Sequence, residues 1–172
     1  MADFMLVDGY NVINAWPELV ALIENLDYAR DRLVDILSGY GAYKEYRIVI
    51  VFDAHAVAGE STIFEVRPKW LEVVFTKEGE TADSYIEKKA YQLVRQGEVV
   101  HVVTSDRAEQ LTVLGMGAWR ISVRELLNEV LAIEKCLRED YGESVFNHRR
   151  QEIGGRVGRD IMEKLDEMRR RG

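Results

Sequence analysis

The sequence predicts an α/β protein, a three-layer α/β/α sandwich around a central and mainly parallel sheet, followed by a flexible basic C-terminal tail. Short apolar runs alternate with longer segments in which apolar residues recur every three or four positions. Such strand–helix alternation favours parallel strands with helices on both faces. From residue 141 onward the periodicity weakens and glycine and arginine become frequent. We therefore predict a folded domain over 1–140 and a tail over 141–172 that contains a possible short helix.

The first half of the chain contains two predicted strands and a long helix. The run "DFMLVD" is apolar up to Asp8 and predicts a buried strand. Pro17 occupies a position at which a helix can start. From Leu26 to Tyr40 the apolar residues follow helical spacing. The run "RIVIVFD", at 47–53, is apolar almost throughout, as expected for a strand covered on both faces.

The second half predicts more strands and helices in the same alternation. The segments "IFEV" and "WLEVVFT", around Pro68, predict two shorter strands or one strand after an extended arm. The segment "TADSYIEKKAYQLVRQG" predicts a helix that stops at Gly97. The run "EVVHVVTSD" predicts a third apolar strand, and "RAEQLTVLG" a short helix that ends at Gly115. The Ser-x-x-Glu pattern of "SVRE" predicts the start of a last amphipathic helix.

Four aspartates occupy equivalent places in this pattern. Asp8, Asp53 and Asp106 each end an apolar strand, and Asp83 lies in the first turn of the helix after another strand. Because functional groups in parallel α/β sheets collect beyond the carboxyl ends of the strands, we expect these carboxylates to share one crevice. Carboxylates gathered in this way repel each other unless a cation neutralises them.

Each aspartate also has an ordinary structural explanation. Asp8 can belong to a turn over "DGYN", and Asp53 can form a turn with the residues that follow it. Asp83 is favourable at a helix N-terminus whatever its function. Asp106, with Glu109 three residues later, matches a helix-capping pattern. The coincidence of four aspartates at four element ends favours a shared site.

The predicted crevice suits metal-dependent phosphodiester hydrolysis. Mg²⁺ takes oxygen ligands from a few carboxylates and polarises phosphoryl oxygens. Asn11 follows Asp8 by three residues and can hydrogen-bond a phosphate or a metal-bound water. Thr104 and Ser105, at the end of the third apolar strand, can do the same as substrate-binding residues. The sequence contains no histidine or cysteine cluster that would make a competing zinc site.

Composition narrows the class of protein. The chain is 47% hydrophobic and 31% charged, as in ordinary globular proteins, and it has no apolar run of the ~20 residues that span a bilayer. The start of the sequence does not resemble a signal peptide, so we expect a cytoplasmic protein with no membrane partner. Cys136, the single cysteine, excludes an internal disulfide and is predicted to be at least partly buried.

The charge is distributed unevenly. The whole chain carries −7, but residues 149–172 contain eight Lys or Arg and five Asp or Glu, which leaves −10 on the first 148 residues. Arginines beside glycines can pair with phosphate oxygens on an RNA surface, although a solvated terminus is the alternative. We therefore predict that the tail contacts a phosphate-rich RNA surface through a set of four arginines: Arg149, Arg150, Arg156 and Arg159.

Several of these segments together resemble the YacP-like proteins of the NYN-domain family, which are relatives of the PIN-type nucleases. The matching segments are "LVDGYN", "VFDAH", "FTKEGETADSYIEK", "VVTSD" and "GAWRISVRELL", in order over most of residues 4–140. The resemblance implies a PIN-like fold and a Mg²⁺ site, with Mn²⁺ as a possible substitute. It maps the family's acidic metal-binding and catalytic positions onto Asp8, Asp83 and Asp106, with Asp53 as a metal-binding companion and Asn11, the family's asparagine, as a further catalytic residue.

The resemblance also implies an activity that the residues alone do not reach: endonucleolytic cleavage of messenger RNA in the A site of the translating ribosome, and so a part in mRNA decay. Two other functions stay open at this point. One is a PIN-like module that binds RNA or the ribosome with little or no catalysis. The other is a phosphatase with an aspartyl nucleophile, which usually needs a second acid where this chain has Tyr10.

Overall fold

A computed structural model describes residues 2–53, 62–66 and 69–141, and these residues form six strands and six helices. The strands are β1 (Phe4–Asp8), β2 (Arg47–Phe52), β3 (Thr62–Val66), β4 (Leu71–Phe75), β5 (Val100–Val103) and β6 (Trp119–Ile121). The helices are α1 (Gly9–Ala15), α2 (Pro17–Val20), α3 (Leu26–Lys44), α4 (Ala82–Arg95), α5 (Arg107–Met116) and α6 (Val123–Tyr141).

All six strands form one sheet in the order β3-β4-β2-β1-β5-β6. Five neighbouring strands are parallel: β4, β2, β1, β5 and β6. Strand β3 pairs antiparallel with β4 at one edge of the sheet. The predicted fold class, an α/β sandwich with a mainly parallel sheet, is confirmed. Because β1 lies between β2 and β5, its carboxyl end lies at the middle of the sheet edge where functional groups are expected.

The core consists of two apolar layers, one on each face of the sheet. Helices α1, α3 and α6 cover one face, where Ile13, Leu37 and Leu126 are fully buried. Helices α4 and α5 cover the other face, where Ile86 and Val113 are fully buried. The alternation of strands and helices along the chain therefore produces the two-sided covering that the apolar strands required.

The structure corrects several local predictions. The segment after Asp8 is the helix α1 and not a turn, and the three-residue strand β6 was not predicted. Helix α5 continues past Gly115 and ends with Gly117 in the left-handed region, at φ 91°. Cys136 is exposed, because it lies on the outer side of α6. The predicted capping box at the start of α6 is confirmed by reciprocal hydrogen bonds between Ser122 and Glu125.

The predictions for residues 54–61, 67–68 and 142–172 lie outside the described residues. These include the tail and its arginines, so the proposed division of the chain at residue 140 stays a prediction. Within the described ranges, no helix is both long enough and apolar enough to cross a lipid bilayer.

Gly9 lets α1 begin directly against the sheet. A Cβ atom at Gly9 would lie 2.2 Å from Cε1 of Phe52 and 2.5 Å from its Cδ1. The Phe52 ring is fully buried and packs against the rings of Tyr10 and Phe75, at centroid distances of 5.0 and 5.5 Å. Because this ring has no room to move, only glycine allows the close approach that places the start of α1 beside Asp8.

We expect Gly9→Ala to lower the free energy of unfolding by about 2–3 kcal/mol, as overpacking of a rigid core does. The midpoint of thermal unfolding should fall by about 5–10 °C. Gly39→Ala is the matched control, because no atom lies within 4 Å of a Cβ atom at that position on α3. Alanine there should stabilise the helix slightly. Equal unfolding midpoints for the two variants would show that Gly9 is not required for packing.

Candidate metal centre

Asp8 is held at the end of the central strand by the helix that follows it. It is the last residue of β1 and the N-cap of α1, where its Oδ1 accepts a hydrogen bond of 3.1 Å from the backbone N–H of Asn11. An aspartate at an N-cap has one oxygen occupied in this way, which fixes the orientation of its carboxylate. Asp8 therefore presents a half-buried, oriented carboxylate at the middle of the sheet edge.

Asp83 is brought to the same place by α4. Asp53, which follows β2, accepts a hydrogen bond of 2.7 Å from the backbone N–H of Ala82, the first residue of α4. Thr81 is the N-cap of the same helix and accepts a hydrogen bond from the N–H of Ser84. These two contacts fix the first turn of α4, which carries Asp83. Asp53 thus links the end of β2 to the helix that positions Asp83.

Glu109 supplies a third carboxylate from the first turn of α5. It is only 4% exposed, and its Oε2 accepts a hydrogen bond of 2.5 Å from the hydroxyl of Thr104, the residue after β5. Its other oxygen, Oε1, is buried and has no hydrogen-bond partner among the described residues. A buried carboxylate oxygen without a partner carries a large desolvation cost.

These three carboxylates form one group. Asp8, Asp83 and Glu109 each place one oxygen within 4.8 Å of the other two. The ligand oxygens around an octahedral Mg²⁺ ion lie ~3–4 Å apart, given Mg–O distances of about 2.0–2.1 Å, so a small contraction would accommodate such an ion. A cation would also give the buried Oε1 of Glu109 a partner. The donor set, the spacing and the unpartnered oxygen all fit a hard divalent cation.

The proximity of the carboxylates changes their protonation. Burial raises the pKa of Asp8 to about 6, the N–H of Asn11 opposes the rise, and the nearby Asp83 and Asp53 add to it. Burial likewise raises the pKa of Glu109 to about 7, the Thr104 hydroxyl opposes the rise, and the charges of Asp83, Asp8 and Asp106 increase it. Mutual repulsion of this kind is what a bound divalent cation relieves.

The structure places the other residues that the sequence singled out around this group. Asp106 is the N-cap of α5 and accepts a hydrogen bond of 2.8 Å from the N–H of Ala108, while its side chain is exposed. Asp53 lies beside the group, close enough to raise the pKa of Asp8. Thr104 is fully buried and its hydroxyl donates to Glu109, so it is not exposed to a substrate as the sequence predicted. Asn11 and Ser105 contact each other directly.

Glu109 was missed as a site residue because the sequence pattern offered a simpler role for it. Asp106 and Glu109 match a capping pattern, but only the Asp106 half is formed, since the carboxylate of Glu109 is bonded to Thr104. The signal that could have identified Glu109 is its place on an apolar helix face. Glu109 and Val113 are the two buried residues of α5, one turn apart. An acid at such a position is unusual unless it has a buried function.

Most of the chain matches a known protein-family model. Residues 5–170 match the family model of the YacP-like NYN domain. The chain is also 47% identical over 137 residues to a curated protein of Bacillus subtilis (strain 168), "Uncharacterized protein YacP". That match covers 77% of this chain and 78% of the relative.

Two solved structures share the fold. One is the crystal structure of Rae1 (YacP) from Bacillus subtilis, which is 39% identical, has a TM-score of 0.68, and is matched over 98% of this chain and 95% of that one. The other is a tryptophan-to-leucine mutant of the same protein, at 45% identity and a TM-score of 0.68, matched over 80% of this chain and 79% of that one. The first match, at 98% of this chain, extends over the strands and helices that position the carboxylates.

Proposed function

The chain belongs to the YacP-like NYN domain family, which is nuclease-like and RNA-related, and on that premise we propose that it is a Mg²⁺-dependent endoribonuclease. We propose further that it cleaves messenger RNA on the translating ribosome, in the cytoplasm, and so contributes to mRNA decay. The observation that carries the enzymatic part is the convergence of three carboxylates from β1, α4 and α5, one of which has a buried oxygen with no hydrogen-bond partner in the described part of the chain.

Asp8, Asp83 and Glu109 would hold the cation. When bound, a hard divalent cation supplies positive charge that polarises a phosphoryl oxygen and stabilises the charge that develops in phosphodiester cleavage. Mn²⁺ accepts the same oxygen ligands and should substitute for Mg²⁺. The set contains no histidine or cysteine, and so it does not favour zinc.

The surrounding residues keep the carboxylates in place. Asp53 fixes the start of α4 through Ala82, and Thr104 orients the carboxylate of Glu109. Supporting hydrogen bonds of this kind typically affect metal affinity or activity by about 10- to 100-fold when they are removed. Thr104 and Asp53 thus act through Glu109 and Asp83, and they need not touch the substrate.

The charge of the chain argues for a scaffold that delivers the RNA. The first 148 residues carry −10, and nonspecific affinity for nucleic acid comes mainly from Lys and Arg contacts with phosphates. A carboxylate-lined crevice on an acidic body therefore attracts free RNA poorly. A ribosome that already holds the message would raise its effective concentration at the site.

We expect cleavage of one message to be at least about tenfold faster under active translation than with the purified protein and naked RNA at physiological salt. The reason is that tethering commonly raises apparent affinity by about 10²-fold or more. The measurement compares three reactions: protein alone, protein with empty ribosomes, and protein in a translating extract. The new 5′ ends are mapped in each reaction with and without Mg²⁺.

The Asp83→Asn variant is the control for cleavage by contaminating nucleases. If naked RNA is cut as fast as a translated message, the protein is a general ribonuclease and the proposed dependence on the ribosome is wrong. Absence of cleavage under all three conditions, with ribosome binding retained, would instead identify a binding module.

A further inference from the structure

Asn11 and Ser105 form a contact that joins the two sides of the candidate metal centre. The side-chain oxygen Oδ1 of Asn11 accepts a hydrogen bond of 3.0 Å from the backbone N–H of Ser105 and a second of 2.8 Å from the Ser105 hydroxyl. The two residues are 94 positions apart in the chain. Asn11 lies on α1, directly after the strand that ends in Asp8, and Ser105 lies between β5 and α5.

The backbone N–H fixes which end of the Asn11 amide faces Ser105. A backbone N–H can only donate a hydrogen bond, so the group that it meets must be the amide oxygen and not the NH₂ group. The reverse orientation would place two donors against each other. The orientation of this amide is therefore determined by its partners.

This orientation limits what Asn11 can do. Hard cations bind the oxygen of an amide and not its nitrogen, and here the oxygen already accepts two hydrogen bonds. The amide NH₂ group, which points away from Ser105, has no hydrogen-bond acceptor among the described residues. Asn11 thus offers two N–H donors beside Asp8, and such donors suit an anionic oxygen.

Building on the proposed function, we infer that Asn11 donates hydrogen bonds to a phosphate oxygen of the RNA and is not a cation ligand, and that Ser105 is the residue that positions it. This changes the role expected of Ser105, whose hydroxyl is directed at Asn11. Asn11 would contact the substrate, and Ser105 would act through Asn11.

Ser105 is suited to this role because its loop is firmly anchored. The preceding residue, Thr104, is fully buried, and its N–H donates to the carbonyl of Ile121 at 3.2 Å. The carbonyl of Thr104 accepts a hydrogen bond of 2.8 Å from Nε2 of Gln110. A donor that is held in place before the substrate arrives loses little freedom on binding.

The first test is a set of variants measured by RNA cleavage at saturating Mg²⁺. Asn11→Ala should lower kcat/KM by about 30-fold or more, as removal of one preorganised donor does. Ser105→Ala, which leaves the backbone N–H in place, should lower it by about 3- to 10-fold, and Ser105→Thr should restore it. The double variant should lie within about twofold of Asn11→Ala, because Ser105 acts only through Asn11. Fully additive losses would overturn the inference.

A further variant, Asn11→Asp, distinguishes a hydrogen-bond donor to phosphate from a cation ligand. Asn11→Asp keeps an oxygen for Ser105 but replaces the NH₂ group by a second, negatively charged oxygen. If Asn11 donates to phosphate, Asn11→Asp should lose as much activity as Asn11→Ala, with the Mg²⁺ concentration for half-maximal activity no higher than in the wild type. Retained activity in Asn11→Asp would show that Asn11 is a cation ligand and would overturn the inference.

A spectroscopic measurement keeps the inference separate from the proposed function. In ¹⁵N-labelled protein with Mg²⁺, the side-chain NH₂ signals of Asn11, assigned with Asn11→Ala, should shift when Ser105 is replaced by alanine. They should also shift when inorganic phosphate is added, and less so in Ser105→Ala. If the wild type cleaves no RNA but these shifts occur, the proposed nuclease activity fails and the positioning by Ser105 stands. If neither change shifts the signals, the inference is wrong whatever the activity.

Discussion

Replacing Asp8 with asparagine is expected to reduce RNA cleavage to background and, in the same protein without cation, to raise its stability at neutral pH. Asp8 ends β1, which lies between β2 and β5 in the sheet, and its pKa is raised first by burial and then by its neighbours Asp83 and Asp53. Asparagine keeps an oxygen for the N–H of Asn11, so the start of α1 should be preserved. The substitution removes a half-buried charge that the N–H of Asn11 compensates only in part.

The stability gain should depend on pH in a defined direction. The folded protein raises the pKa of Asp8 from 3.8 to about 6, so the folded state binds this proton more tightly than the unfolded state does. Ionisation of Asp8 therefore destabilises the fold progressively as pH rises from about 4 to 6, and the full cost is present above pH 6. Asparagine does not ionise and so has no such cost. The free energy of unfolding of Asp8→Asn should therefore exceed that of the wild type by about 1–2 kcal/mol at pH 7–8, allowing for the partial exposure of Asp8, and the difference should vanish below pH 4.

Asp31→Asn is the matched control. Burial raises the pKa of Asp31 to about 6 as well, with Asp27 adding to the rise and Arg30 opposing it, but Asp31 lies on α3 and outside the carboxylate group. Both variants should be more stable than the wild type above pH 6. Only Asp8→Asn should lose RNA cleavage, and only Asp8→Asn should lose the rise in unfolding temperature that we expect Mg²⁺ to give the wild type. Near-normal cleavage by Asp8→Asn at saturating Mg²⁺ would falsify the assignment of Asp8 to the metal centre.

Much of the fold follows from the sequence because its strands are unambiguous. The runs that end at Asp8, Asp53 and Asp106 are apolar on both sides, which only a sheet covered on both faces explains. Once the strands are parallel, their carboxyl ends must share one edge, and the approximate position of the carboxylates follows from topology. The meeting of Asp8 and Asp83 could thus be anticipated without coordinates.

The remaining features depend on packing that a linear pattern does not contain. Helix α1 has seven residues and starts at a glycine, and it is held by contact with the fully buried ring of Phe52. Strand β6 has three residues and pairs with β5 at the edge of the described sheet, so its local pattern is too short to detect. The role of Glu109 requires knowing that the inner face of α5 covers the end of β5, where Thr104 meets its carboxylate.

Glu109 and Asp106 compete for one assignment. The resemblance to NYN domains maps a metal-binding position onto Asp106, whereas the described geometry groups Glu109 with Asp8 and Asp83. The two acids lie three residues apart on the same helical turn, so a sequence motif cannot separate them. Asp106 has an exposed carboxylate that already caps α5, while Glu109 has a buried oxygen that meets no hydrogen-bond donor among residues 2–53, 62–66 and 69–141. A cation should bind the buried oxygen of Glu109 more favourably, because this oxygen is already desolvated and binding requires no further loss of water from it.

We therefore expect Glu109→Gln to lower kcat at saturating Mg²⁺ by about 100-fold or more and to raise the Mg²⁺ concentration for half-maximal activity. Loss of a residue that only supports a metal ligand already lowers metal affinity or activity by about 10- to 100-fold, and loss of a ligand should have a larger effect. Glutamine can still accept the Thr104 hydrogen bond, so the loss reports the charge and not the packing. Asp106→Asn should cost about tenfold or less, with an unchanged unfolding midpoint, because asparagine caps helices as well as aspartate does. A larger loss in Asp106→Asn than in Glu109→Gln would return the third carboxylate to Asp106.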